Sequence, residues 1–267
     1  MGTLSGRRAL VTGSFQGIGL GVATALAAEG CALVLHGLAD DDTIAAARAA
    51  VLAAGAPSVE THCSDLRDPA ATESLVTTVL GAGPVDILVN NAGIQFTASI
   101  ADMPRSKWDD ILAINLSAAF DTMRLLLPQM ASRGYGRVVN VASVHGLVAS
   151  VNKAPYVSAK FGLVGLTKVA ALEYASAGDA ASGGITVNAI CPGWVETPLI
   201  EPQIQARAAM HGGNRDAGIA DLLSEKQPSR RLAATSEIGA LAAWLCDPRA
   251  HNVTGTAIPI DGGWTAQ

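Results

Sequence analysis

A chain of 267 residues, 49% hydrophobic and only 15% charged, has enough apolar material for one large α/β domain or two small ones, which excludes a disordered protein. Its net charge is -5 and its Lys and Arg are scattered, which excludes the basic footprint of a nucleic-acid binder. Aromatic residues make up only 4% while alanine and glycine abound, so helices can pack closely on a sheet or on other subunits.

The start, "MGTLSGRRALVTG", carries no signal-peptide stretch, and Gly6 stands where a myristoylation signal needs Ser or Thr. No uninterrupted apolar run has the length of a membrane span, so the expected location is the cytoplasm. In chain order, strands are predicted at 9–13, 31–37, 58–65, 85–93, 136–143, 185–193 and 256–263. Most are continuous apolar runs rather than alternating ones, as expected for strands covered on both faces. Helices are predicted between them at 17–29, 43–54, 69–81, 105–132, 155–176 and 236–247. Asp68-Pro69 reads as an N-cap followed by a first-turn proline, Pro155 fits a first turn too, and Pro128 should kink or end its helix. Strand–helix alternation with short links predicts an α/β fold, a single domain over 1–267 built on a doubly wound parallel sheet. Residues 198–230 interrupt the alternation before the last strand, either as a mobile lid or as a surface helical hairpin with no role. The Gly/Ala/Ser-rich stretch 175–185 reads as a surface loop. Cys31, Cys63, Cys191 and Cys246 are far apart with no C-x-x-C pair, so they are expected as reduced, buried thiols rather than a disulfide or metal site.

Two stretches carry chemistry. "VTGSFQGIG" runs from the first strand into the first helix. Gly13, Gly17 and Gly19 permit a tight turn and close approach of a phosphate to the backbone, where the helix N-terminus offers free N–H groups. In "YVSAK", Tyr156 and Lys160 fall one above the other on a helix. They are either an ordinary surface pair or a phenol whose pKa a neighbouring ammonium lowers, making it a general base.

The glycine spacing, "NNAG" (90–93), Asn115, Ser143 and Y-x-x-x-K stand in one order that resembles the short-chain dehydrogenase/reductase family over nearly the whole chain. The resemblance implies a Rossmann-type single domain, of about seven parallel strands with helices on both faces and a small helical lid, assembled as a homotetramer and using NAD or NADP. It implies that Ser143, Tyr156 and Lys160 are catalytic, with Asn115 holding a water that relays protons to Lys160. It also implies cofactor contacts from Gly13, Gly17, Ile18, Gly19, Asp65, Asn91, Ala92, Gly93, Pro192, Gly193 and Thr197, besides Tyr156 and Lys160. At the end of the second strand Gly37 takes the place of the usual acid and Leu38 that of the usual arginine. With no cation there, and with Asp40, Asp41 and Asp42 close by, NAD is the expected cofactor.

Gln95, His145 and Lys153 lie where such a fold brings loops to its substrate, although each taken singly reads as a surface or structural residue. A lysine with neutral donors suits a small carboxylate. "NNAGIQ", "SVHGLVASVNKAPYVSAK", "AICPGWVETPL", "LLSEKQPS" and "DGGWTA" resemble the members of this family that act on a short 3-hydroxy acid. That resemblance adds Gln203 as a carboxylate contact and Trp194 and Trp264 as walls for the methyl end, although both tryptophans also read as core packing. The expected activity is reversible NAD-dependent oxidation of (R)-3-hydroxybutyrate to acetoacetate, with a small-molecule substrate and no metal, nucleic acid or membrane. An NADPH-dependent 3-oxoacyl-thioester reductase and a nucleotide-binding scaffold without activity are the alternatives.

Overall fold

The structure is a computed structural model and describes residues 2–179 and 181–266. Seven strands, β1 (Arg8–Thr12), β2 (Ala32–Gly37), β3 (Val59–Cys63), β4 (Ile87–Asn90), β5 (Tyr135–Val141), β6 (Gly184–Pro192) and β7 (Ala257–Ile260), form one sheet in the order β3-β2-β1-β4-β5-β6-β7. Every neighbouring pair is parallel. The apolar runs are continuous because both faces are covered. Ala9, Val11, Leu33 and Leu35 pack on one side with α1 (Gly17–Ala28), α2 (Asp41–Ala53) and α9 (Thr235–Cys246). Leu10, Val34, Leu88 and Val138 pack on the other with α3 (Pro69–Ala82), α5 (Ala118–Arg133) and α6 (Ala154–Tyr174). The order reverses between β1 and β4, and a doubly wound sheet opens its ligand crevice at that reversal, beyond the strands' carboxyl ends.

The predicted elements are all present, with informative shifts at their ends. The Asp68 side chain accepts from the Ala70 N–H ahead of Pro69, as the sequence implies. Helix α2 starts two residues before its predicted position because Asp40 caps it, accepting from the Thr43 N–H at 2.8 Å, with Asp41 and Asp42 in the first turn. Strand β4 ends at Asn90 rather than 93, since Asn91 and Ala92 leave the ladder to donate to the Thr12 hydroxyl.

Three expectations are corrected. Pro128 does not end its helix: α5 runs through it to Arg133, held by buried Leu126, Leu127 and Met130 on either side. The interruption comes earlier, where α4 (Arg105–Leu112) meets α5 through a single wide π-type turn, Ala113–Ser117. Taken together, Arg105–Arg133 is long and apolar enough for a membrane span, which no apolar run in the sequence had indicated; in the fold its apolar side packs on the sheet and on α6. Cys63 is exposed, unlike the other three cysteines, because it is the last residue of the edge strand β3.

The segment 198–230 folds as two helices, α7 (Glu201–Met210) and α8 (Arg215–Ser224), packed on each other through Ile200, Ile204 and Leu222 and tied together by Arg207 with Asp221. Trp194 packs against the same apolar cluster, so the hairpin borders the crevice.

Candidate active site

The crevice at the β1/β4 reversal is a cavity of about 590 Å³ that runs from the glycine turn to Tyr156 and Lys160. Gly13 and Gly17 have φ of +64° and +57°, the left-handed region in which a side chain is strained. A Cβ on Gly19 would collide with the Gly13 carbonyl and the Asn91 amide. That amide donates to the carbonyls of Thr12 and Gly13 at 3.0 and 2.9 Å, so "NNAG" buttresses the glycine turn from behind. The resulting cradle of bare backbone at a helix N-terminus fits a dinucleotide pyrophosphate.

Gly13, Gly17, Ile18, Asn91, Ala92, Gly93, Thr197, Tyr156 and Lys160 all line this cavity. Gly19 supports it from beneath. Besides Gly19, three of the expected contacts stand outside the lining. The Asp65 carboxylate is engaged by the Arg67 guanidinium at 2.9 Å. Pro192 ends β6, and Gly193 packs on Gln227 and Asp261. Leu38 and Asp40, singled out for the cofactor choice, line the cavity, and so do Phe15, Ile94 and Leu199, which were missed from the sequence, where nothing but adjacency to a motif marks them. Phe15 explains the glycine at position 37, because a Cβ there would lie 2.8 Å from its ring. Lys160 is the only cation lining the cavity among the described residues.

At the inner end, Ser143 follows β5 and caps a tight turn, Val144–Gly146, its hydroxyl accepting from the His145 N–H at 3.1 Å. Gly146 lets α6 come close, since a Cβ there would lie 2.8 Å from the Lys160 carbonyl. The Ser143 hydroxyl is thereby brought beside the Tyr156 phenol, as the chemistry requires. Burial raises the phenol's pKa and the Ser143 hydroxyl opposes that rise. The expected lowering by Lys160 is absent: the ammonium donates to the Val141 carbonyl at 2.8 Å and lies 5.7 Å from the centre of the phenol ring. Burial also brings Lys160 itself down to about 8. Asn115 sits in the π-type turn, buried, with its side chain engaged at both ends by the Ile94 backbone at 2.9 Å, and so pins the wall of the crevice.

Beyond Ser143 lies an aromatic box. The His145 ring meets those of Tyr156 and Trp264 edge-on at 6.2 and 5.4 Å, and Trp194 tilts against Trp264 at 5.8 Å. Trp264 is buried, and Trp194 packs on the apolar cluster of the lid hairpin while its ring meets Trp264. Lys153 is buried with its ammonium 4.9 Å from the Trp194 ring centre, and it has no acidic partner among the described residues. Burial and the charge of Lys226 lower its pKa to about 8. His145 is lowered to about 4 by burial and by both lysines, so it is neutral at pH 7. Its Nδ1 faces the Val148 carbonyl at 3.3 Å, which leaves Nε2 unprotonated. Gln95 Nε2, Trp194 Nε1 and Gln203 Oε1 are buried with no hydrogen-bond partner. Such groups are completed by water or by a ligand. Lys226 and Gln227, just beyond α8, were not singled out from the sequence, although both lie in the string "LLSEKQPS".

The short chain dehydrogenase family matches residues 7–208. The chain belongs to that family. It is accordingly an oxidoreductase that works on a small molecule with a nicotinamide dinucleotide, and the crevice has the shape for one. Among curated relatives, this family member is 48% identical to a D-beta-hydroxybutyrate dehydrogenase of Cupriavidus necator over 99% of this chain and 100% of that one. It is 42% identical to a D-beta-hydroxybutyrate dehydrogenase of Rhizobium meliloti over 98% of this chain and 99% of that one. Among solved structures, an actinorhodin polyketide ketoreductase variant with NADPH superposes with a TM-score of 0.89 at 33% identity, covering 100% of both chains.

Proposed function

We propose that the protein catalyses reversible, NAD-dependent oxidation of (R)-3-hydroxybutyrate to acetoacetate. The observation that carries this reading is Lys153, a buried ammonium with no counter-ion among the described residues, set in an aromatic box beside the Ser143–Tyr156 pair. A buried cation without a partner calls for an anion. The names of the two curated relatives support the same substrate.

Tyr156, as phenolate, takes the hydroxyl proton of the substrate, while Ser143 donates to the oxygen as it becomes a carbonyl. A nicotinamide dinucleotide held along the cavity by Gly13, Gly17, Asn91, Gly93, Tyr156 and Lys160 would supply the hydride acceptor for the carbinol carbon. Lys160 keeps a positive charge near the phenol ring and anchors it to β5 through Val141. Because burial raises the phenol's pKa, Tyr156 holds its proton at neutral pH, ready for the reductive direction, and oxidation gains as pH rises. Asn115 holds the Gly93–Ile94 wall, next to which a relay water would stand. NAD is supported by the adenosine end, where exposed Leu38 and the capping Asp40 offer no cation to a 2′-phosphate. A homotetramer is supported by exposed Phe120, Phe161, Val169 and Leu172 on α5 and α6, and light scattering checks it.

The deciding assay follows the NADH absorbance band with (R)- and (S)-3-hydroxybutyrate and each cofactor. The R acid with NAD should be preferred in kcat/KM by a wide margin. Preference for NADPH with a 3-oxoacyl thioester would instead favour the carrier-type reductase, and no turnover with any pair would leave only a scaffold. A pH test follows from Lys153. A lysine whose pKa is lowered is charged below that value and neutral above it, so acetate, as a competitive inhibitor, should bind steadily below pH about 8 and weaken above it. An inhibition constant flat across that range would place the anion elsewhere.

A further inference from the structure

A second ammonium enters the aromatic box from the lid. Lys226 lies two residues beyond the end of α8. Its Nζ donates to the Ser150 hydroxyl at 3.3 Å, across 76 positions of chain, and lies 5.6 Å from the centre of the Trp264 ring. Lys226 is not a loose surface side chain. The next residue, Gln227, is buried, its main-chain N–H donates to the Leu223 carbonyl at 2.9 Å, and its side chain accepts from the Trp194 N–H at 3.0 Å. Lys226 and Lys153 thus each lie over one of the two mutually tilted tryptophans, and neither has an acidic partner among the described residues.

Two like charges held this close repel, and the effect registers on both Lys153 and His145. Aromatic faces ease the cost of each cation but neutralise neither. A carboxylate has two oxygens, each able to accept from a different ammonium. Building on the carboxylate substrate proposed above, we propose that Lys226 is a second specificity-determining contact for that group, so that the substrate's charge bridges the segment before α6 to the end of the lid hairpin. The lid is thereby drawn onto acids and not onto neutral alcohols of the same shape.

The test compares (R)-3-hydroxybutyrate with its methyl ester in the full-length enzyme. Lys226→Gln keeps a donor for Ser150 and removes only the charge. It should lower kcat/KM for the acid about tenfold, chiefly through KM, and leave the ester unchanged, as expected for losing a charged hydrogen bond. Lys226→Arg should restore most of the acid preference. A purely structural lysine would change acid and ester alike and would not distinguish Gln from Arg. If Lys226→Gln leaves the acid-to-ester ratio at the wild-type value while Lys153→Met lowers it, the second contact is overturned and the carboxylate reading stands. If the wild type shows no acid preference and Lys153→Met changes nothing, both fall together.

Discussion

Tyr156→Phe should lower kcat by about 10³-fold or more in both directions, within the range that a positioned acid–base contributes. The substitution removes one oxygen and keeps the ring, so the edge contact with His145 and the packing against Ile111 and Ala159 persist. The folded state and the crevice should therefore survive, and NAD affinity by fluorescence titration should be nearly unaltered. Only the proton acceptor is gone, and no neighbour can replace it. His145 is neutral but directs its ring edge at Tyr156 from 6.2 Å, and Lys160 gives its protons to the Val141 carbonyl. A fully active variant would remove the mechanism.

Lys153→Ala should raise KM for the hydroxy acid by about 10- to 100-fold, with far less change in kcat and almost none in KM for the cofactor. The magnitude follows from a hydrogen bond to a charged group, roughly 1.5–3 kcal/mol. The split follows from position, since Lys153 lies in the aromatic box and not among the residues of the dinucleotide crevice. The same change should raise the pKa of His145, because Lys153 is one of the charges holding it down. An unaltered KM would mean that the carboxylate binds elsewhere.

The two experiments divide the site between chemistry and recognition, and the sequence exposes these two halves unequally. The chemical half is local. Tyr156 and Lys160 need only a helix to be neighbours, and the glycine turn needs only a strand before it and a helix after it. The recognition half is assembled from distant segments. Lys226 acquires meaning only when the lid hairpin brings it to Ser150, and Trp194 and Trp264 are core residues or pocket walls depending on how two loops meet. Where sequence reasoning failed locally, packing had overridden propensity. Pro128 sits in a helix secured by buried residues on both sides, and Cys63 is left uncovered at the sheet's edge.

The amino-acid order alone determined the seven strands, the alternation that makes them parallel and the glycine turn, because each depends on periodicity or on residues close in the chain, while the serine–tyrosine–lysine set rested on the resemblance to the family. Only the tertiary structure decided the electrostatics. Burial raised Tyr156, lowered Lys153 and Lys160, and kept His145 neutral. Desolvation depends on everything packed around a group, and that surrounding is a property of the fold, not of any single stretch of chain.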